Sequence, residues 1–422
     1  MEASGVGRRA LWAWASLVAL SFAAGAVLHG LGMLTIDHLP PLHGHFRVPG
    51  PGLLPAAAFG AAAALTLPRL AARLRFGPAM LAAYGTAVAW TVLLAVSGDG
   101  LAAPFTHPQE YLAVLPQVGH DPLGWLASFS ERLPAYPTHV RGHPPLPVLV
   151  VWALAAIGLP GPLWAAWLVV LAGCSATVAI ALTLRELSGE GTARRALPYL
   201  ALIPASVWIA TSMDALFAGV GAWGVALLML GGSGRGSRTR GLAFGVGAGL
   251  LLGALPYLSY GMAPFLLIPV ALAAAVRLRR STAAAALAGA AAVTIAFAAA
   301  GFLWPAGVLA THAEWAADPG AARPYLYFLV GGLGVLALLT GPAAARGLAE
   351  PMPRGMRLAA GAALVAVLTL DLTGVTRGEV ERIWMPYALW IGLPASLPPG
   401  RRWLVAQVVT GLALQGLVIS PW

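Results

Sequence analysis

The chain has 422 residues, of which 59% are hydrophobic and only 9% are charged. Soluble domains carry roughly 25% charged residues, so this composition excludes an ordinary soluble enzyme. The formal net charge is +10, and every Lys/Arg position is an arginine. Because these arginines do not form long basic runs, the charge indicates membrane topology and argues against a nucleic-acid partner.

Apolar segments recur along the whole sequence, and about 20 such residues cross a bilayer core of roughly 30 Å as a helix. The pattern predicts an all-α polytopic membrane protein with about thirteen transmembrane helices. The predicted helices occupy approximately residues 10–34, 53–67, 78–96, 163–184, 197–212, 216–230, 242–258, 262–276, 283–303, 325–339, 358–372, 383–397 and 404–419. Together they form one membrane domain over 1–422, made of 1–96, a polar insertion at 97–162, and 163–422.

The first apolar run follows Arg8 and Arg9, an arrangement that also opens a signal peptide. The run is longer than the apolar region of a typical signal peptide, and Trp12 and Trp14 lie where an interfacial anchor would. We therefore expect it to be retained as helix 1, with cleavage as the alternative.

Residues 97–146 form the longest polar stretch of the chain. This stretch contains four of the fifteen acidic residues and four of the nine histidines. The apolar segment that follows, 147–157, ends at a Gly-Leu-Pro-Gly-Pro sequence. About 12 helical residues cover only about 18 Å, so the region near 146–158 is predicted to be a re-entrant or interfacial helix.

The arginines give the predicted helices an orientation. With the N-terminus inside and the C-terminus outside, nineteen of the 25 arginines fall on the inner side, as the positive-inside rule requires. The same assignment leaves eleven of the fifteen acids and all nine histidines on the outer side. Because the acids and histidines were not used to set the orientation, their clustering points to an external functional site in the plasma membrane.

Four groups of outer residues carry the candidate chemistry. A carboxylate such as Glu110 could act as a general base, and Asp214, between two apolar helices, needs a partner. Arginine offers a fork that fits phosphate oxygens, and histidine can donate a hydrogen bond. The residues concerned are Glu110 with Tyr111, His139 with Arg141 and His143, Asp214, and Glu379 with Glu381 and Arg382. Glu379, Glu381 and Arg382 could instead form only a structural ion-pair set.

The histidine spacing does not indicate a metal site. His139 and His143 are four residues apart, but Gly142 and Pro144 argue against a single helical face. We therefore predict no cofactor, although a divalent metal stays open.

The order of these motifs resembles the GT-C superfamily of polytopic glycosyltransferases, nearest to the protein mannosyltransferase and aminoarabinose transferase branch. The similarity rests on Gln109-Glu110-Tyr111, on His143-Pro144-Pro145-Leu146, and on the outer turn at Asp214. A late motif, Glu381-Arg382-Ile383-Trp384-Met385-Pro386-Tyr387, is also similar. The sequence departs from the family at Gln109, where an acid is usual, and at His143, where a lysine is usual.

The resemblance implies transfer of a sugar, with inversion, from a polyprenyl-phosphate donor to a glycan, lipid or protein acceptor. Glu110 would be the base and Asp214 would support the site, with Asp37 as the alternative base. The donor phosphate would be bound by Arg141, His143 and Arg382, and the supporting residues would be Tyr111, His139, Glu379 and Glu381. The alternatives are a transporter or lipid flippase that uses the external acids and histidines, and a membrane assembly protein without catalytic activity.

Overall fold

The computed structural model describes residues 2–34, 36, 38–232 and 237–421. Asp37, the alternative base predicted from the sequence, lies outside the described residues. Nine helices in the described ranges are long and apolar enough to cross a membrane, which makes the chain a polytopic helical membrane protein. They are α1 (Glu2–Gly30), α2 (Leu54–Arg73), α3 (Phe76–Val96), α8 (Pro162–Ser188), α10 (Asp214–Gly232), α11 (Arg238–Leu258), α13 (Arg280–Ala299), α15 (Tyr325–Gly347) and α16 (Arg354–Thr373).

Ten shorter helices and two short strands complete the fold. The helices are α4 (Leu115–Val118), α5 (Pro122–Ala127), α6 (Thr138–Arg141), α7 (Leu146–Ala156), α9 (Glu190–Ala201), α12 (Leu267–Val276), α14 (Trp304–Ala317), α17 (Val380–Ile383), α18 (Met385–Ile391) and α19 (Arg402–Leu417). The strands are β1 (His45–Phe46) and β2 (Val418–Ile419). At about 1.5 Å per residue α7 measures only about 16 Å, and it occupies the place of the predicted short helix near 146–158.

Four of the thirteen predicted spans differ from single long helices. The segment predicted as 197–212 starts earlier, in α9, and ends at Ala201 before a 3₁₀ turn at Pro204–Trp208. The segment predicted as 262–276 opens with two 3₁₀ turns before α12, and that predicted as 383–397 is divided between α17, α18 and another 3₁₀ turn. The segment 404–419 forms α19, which has only 16 residues. Proline begins several of these pieces, because it lacks the N–H that a continuing helix would need.

The long helix α15 contains a break that another helix repairs. Gly341 has a φ of 76°, and Pro342 follows it. The fully buried side chain of Gln407 on α19 accepts a hydrogen bond from the Ala343 N–H at 3.3 Å and donates one to the Thr340 carbonyl at 2.7 Å. In an apolar interior these backbone groups would otherwise be costly, so Gln407 makes the break tolerable.

Contacts between loops gather the predicted outer segments at one face. The strand β1, in the loop after α1, pairs antiparallel with β2 at the end of α19. The same loop reaches α17, where the His43 N–H donates to Glu381 Oε1 at 3.3 Å. The loop before α7 contacts α14, because Arg141 Nη1 lies 3.1 Å from Glu314 Oε2.

The arginine-bearing segments contact one another at the opposite face. Arg194 of α9 donates to the carbonyls of Ala71 and Leu74 between α2 and α3, each at 2.7 Å. Its guanidinium also lies over the Phe76 ring. Arg346, at the end of α15, pairs with Glu350 at 2.6 Å. This grouping is the one expected if successive segments run from one face to the other.

Close packing of α8 against α10 fixes where α10 begins. A Cβ atom at Gly219 would lie 2.3 Å from the Ala172 carbonyl oxygen, and one at Gly173 would lie 2.8 Å from the Ala215 Cβ. Small residues at such contacts let two helix backbones approach. The first residue of α10, Asp214, is therefore held at a defined position inside the outer face.

Candidate active site

Glu110 lies in the polar insertion and is held by a histidine from the other half of the same loop. Its carboxylate is buried, with 2% of the residue exposed, and its Oε1 is 2.7 Å from His139 Nδ1. Its Oε2 is also buried and has no hydrogen-bond partner among the described residues. One oxygen is thus anchored, while the other has no hydrogen-bond donor among the described residues.

Gln109 joins the two halves of the loop. Its side-chain oxygen accepts from the Thr138 N–H at 2.8 Å, and its carbonyl accepts from the His139 N–H at 3.3 Å. These two bonds place α6 beside Glu110. The amide therefore has a positioning role at the place where the resembling family carries an acid.

His143 and Tyr111 form the buried wall behind Glu110. Nδ1 of His143 donates to the His139 carbonyl at 2.9 Å, and the ring centroids of Tyr111 and His143 are 5.8 Å apart. Burial lowers the pKa of His143 to about 4, against the opposing charge of Asp214. Burial likewise raises the pKa of the Tyr111 hydroxyl well above its usual value. Both groups are accordingly neutral near pH 7.

Arg382 is held between two carboxylates on the other side of this wall. Its Nη1 lies 3.2 Å from Asp214 Oδ2, and its Nη2 lies 2.5 Å from Glu379 Oε2. The Ser212 hydroxyl adds a third donor to Asp214, at 3.0 Å. Burial alone would raise the pKa of Glu379, but Arg382, His139 and His43 together outweigh burial and hold that pKa below its usual range.

Glu381 adjoins this ion-pair group and is completely buried. Its Oε1 accepts a hydrogen bond from the backbone N–H of His43, in the loop after α1, and its own backbone N–H also acts on the carboxyl. Burial raises the pKa of Glu381 to about 7, and the nearby charge of Glu379 adds to the effect.

The two halves of the site meet at Tyr111. Its hydroxyl lies within electrostatic range of Glu110, Asp214 and Arg382, and His143 lies within range of the last two. The fold therefore brings together eight of the residues predicted from the sequence: Glu110, Tyr111, His139, His143, Asp214, Glu379, Glu381 and Arg382. Arg141 is at the edge, paired with Glu314 and about a third exposed.

The charges around Arg382, His143 and Arg141 determine which of these residues can bind a phosphate. Arg382 is already shared by Asp214 and Glu379, and a neutral His143 offers hydrogen bonds but no charge. Arg141 is paired with a partly exposed carboxylate at the rim, so its guanidinium can turn to a phosphate at small cost. Of the three arginine and histidine residues predicted to bind phosphate, Arg141 has the most suitable surroundings.

The sequence predictions missed three contributors. These are His43, which contacts Glu381 through its backbone, Glu314, which pairs with Arg141, and Ser212, which supports Asp214. Ser212 could have been suspected, because it lies two residues before Asp214, and a buried carboxylate needs nearby donors. The other two come from distant segments, and local patterns carry no signal for such contacts.

The described part of the chain contains no group of three or more His, Cys, Asp or Glu side chains arranged to bind a metal ion. The structure also has a surface cleft formed mainly by sequence neighbours of Glu110. It is lined by residues on both sides of Glu110 and by the start of α8, including His107, Leu112 and Pro162.

No family model matches this chain, and no curated protein matches it by sequence. Two crystal structures of ArnT from Cupriavidus metallidurans are similar to it. The apo structure has 17% sequence identity and a TM-score of 0.41, and the structure bound to undecaprenyl phosphate has 16% and 0.44. Each match covers 68% of this chain, and this chain spans 58% of the ArnT chain. The similarity is modest and assigns no function by itself.

Proposed function

We propose that this protein is a membrane glycosyltransferase. It transfers a sugar from a polyprenyl-phosphate donor to an acceptor hydroxyl at the external face of the plasma membrane. The proposal is supported by the nine apolar helices, the arginine distribution and the collection of acids and histidines at one face.

The observation that carries the proposal is the state of Glu110. A buried carboxylate with one oxygen fixed by His139 and the other unpartnered among the described residues is prepared to accept a proton from a hydroxyl. Glu110 differs from Glu381, whose Oε2 is also unpartnered among the described residues, because its other oxygen is held by an imidazole and not by a backbone N–H. We infer that an acceptor approaches Glu110 from the surface cleft that its sequence neighbours His107, Pro108 and Leu112 line.

The reaction follows from these positions. The acceptor oxygen gives its proton to Glu110 Oε2 and bonds to the anomeric carbon of the sugar. The bond between that carbon and the phosphate oxygen breaks, and polyprenyl phosphate leaves with the bonding electron pair. Attack from the side opposite the leaving group inverts the anomeric centre.

The remaining residues position the reactants. Arg141, at the rim, would bind the phosphate, whose negative charge grows as the bond breaks. The ion pairs of Arg382 with Asp214 and Glu379 would fix the outer end of α10 against α17, next to Tyr111 and His143. His139 would keep the base oriented. No metal or other cofactor is required by this scheme.

The experiment compares the purified protein and its Glu110→Gln variant for transfer from undecaprenyl-phosphate sugars, with products identified by mass spectrometry. Loss of the base should lower turnover by about 10²–10⁴-fold, because general base catalysis contributes about that much. Glu350→Gln is the matched control: it is the same substitution in an ion-paired glutamate at the opposite face. Full activity of Glu110→Gln would contradict the assignment.

The same preparation separates an enzyme from a transporter. Reconstituted vesicles that move a polyprenyl-phosphate lipid between leaflets, while no donor yields a transferred sugar, would favour a flippase. An assembly protein would show neither activity.

A further inference from the structure

Glu381 is a buried carboxyl that the proposed mechanism does not use. It lies on the four-residue helix α17 with no exposed surface. Its Oε1 accepts a hydrogen bond from the His43 backbone, its own backbone N–H also acts on the carboxyl, and its Oε2 has no partner among the residues described. A fully buried carboxyl with so few donors is far more stable as the neutral acid than as the anion.

The hydrogen bond from His43 connects two distant parts of the chain. Its donor is His43, in the loop between α1 and α2. Two residues after His43 the same loop enters β1, which pairs with β2. Its acceptor immediately precedes Arg382, whose guanidinium contacts Asp214 and Glu379. Glu381 thus lies between the first outer loop and the charged centre of the site.

The charged and titratable groups around this point determine what ionisation does. Glu379 and Arg382 lie on the same segment as Glu381. Asp214 faces Arg382 from α10. The imidazoles of His43 and His139 act on Glu379. An ionised Glu381 would be a third carboxylate near one arginine that two carboxylates already neutralise. Ionisation therefore favours an arrangement in which water reaches Glu381 and the loop moves away.

We propose that Glu381 is a proton-dependent positioning residue: as the neutral acid it holds the first outer loop against α17, and its ionisation releases that loop and loosens the setting of Arg382. The consequence for sugar transfer rests on the proposed function, whereas the movement of the loop does not. The pKa of about 7 places the transition within the pH range that a cell surface experiences.

Hydrogen–deuterium exchange of the full-length protein in nanodiscs tests the movement without any substrate. The probe is a peptide covering residues 42–47, compared at pH 6 and pH 8 after correction for the intrinsic exchange rate. If the closed loop keeps Glu381 neutral up to about pH 7 and the open loop lets it ionise near pH 4.5, protection should fall about tenfold over this interval. A flat wild-type profile would overturn the proposal.

Two variants assign the effect to this carboxyl. Glu381→Gln cannot ionise but keeps an oxygen for the His43 N–H, so the peptide should be protected equally at both pH values. Glu381→Ala removes the acceptor, so protection should be low at both. Glu350→Gln should behave as wild type. A tenfold pH dependence that survives in Glu381→Gln would also overturn the proposal, since another group would then be responsible.

The pH profile of transfer supplies the second measurement. Wild-type turnover should fall as the pH rises through about 7, and Glu381→Gln should lack that limb while keeping the same KM. If no variant transfers sugar, the proposed function fails and the exchange result still decides the role of Glu381. If transfer occurs with an unchanged limb in Glu381→Gln, the role fails and the enzyme assignment stands.

Discussion

At the scale of single residues, Arg382 determines the charge balance of the site. Its one positive charge is shared by two carboxylates in a place where the arginine side chain is only 6% exposed. A buried ion pair contributes little net stability, but removing one partner leaves uncompensated charge. Arg382 is therefore more sensitive to substitution than any exposed arginine of the chain.

We expect Arg382→Gln to lower stability by about 3–5 kcal/mol, since two carboxylates lose their cation. Arg382→Lys should have a smaller effect, because an ammonium keeps the charge but cannot reproduce a guanidinium that contacts both groups. Thermal unfolding in detergent measures the order, with Arg401→Gln, an exposed position, as the control. Equal melting temperatures for Arg382→Gln and wild type would contradict the buried ion-pair description.

His143 gives stability an acid dependence. Its pKa is about 4 in the folded protein and about 6.5 when unfolded, so the unfolded chain binds the extra proton between these values. Stability should fall as the pH drops below about 6.5, by about 3 kcal/mol once the pH reaches 4. In His143→Phe the melting temperature should change less between pH 7 and pH 5 than in wild type. A His107→Phe control, at an exposed histidine, should keep the wild-type difference.

At the scale of elements, the fold depends on side chains that complete interrupted helices. The break in α15 at Gly341 leaves backbone groups that Gln407 of α19 satisfies from another helix. Hydropathy alone predicts α15 and α19 as two independent spans. Their pairing is a tertiary property, because the Gln407 amide stabilises the protein only where it meets the unpaired backbone groups at the break in α15.

We expect Gln407→Leu to destabilise the protein by about 2–6 kcal/mol, because two buried backbone groups lose their partners at about 1–3 kcal/mol each. Gln117→Leu, in the exposed part of the polar insertion, should change the melting temperature little. A Gln407→Leu protein as stable as wild type would show that the break is satisfied in another way.

At the scale of the whole molecule, the loops divide between two faces. Contacts at the predicted outer face include the β1–β2 pair and the Glu110–His139 pair, and contacts at the predicted inner face include Arg194 with the α2–α3 turn. The positive-inside rule predicts that the arginine-bearing face is cytoplasmic.

Cysteine labelling in intact cells checks this orientation. A membrane-impermeant maleimide should modify His120→Cys in the polar insertion and leave Arg357→Cys unmodified until the membrane is opened. The native Cys174 is buried and should give little background. The reverse labelling pattern would invert the predicted topology.

The sequence by itself determined the membrane class, the long helices, the short helix α7 and the candidate residues. Apolar length and charge distribution are local properties, and they are sufficient for these predictions. Only the tertiary structure decided that Glu110 pairs with His139, that Asp214 and Glu379 share Arg382, and that Arg141 points to Glu314. Those contacts join residues up to 173 positions apart, and they form because buried charges and broken helices must find partners from other segments.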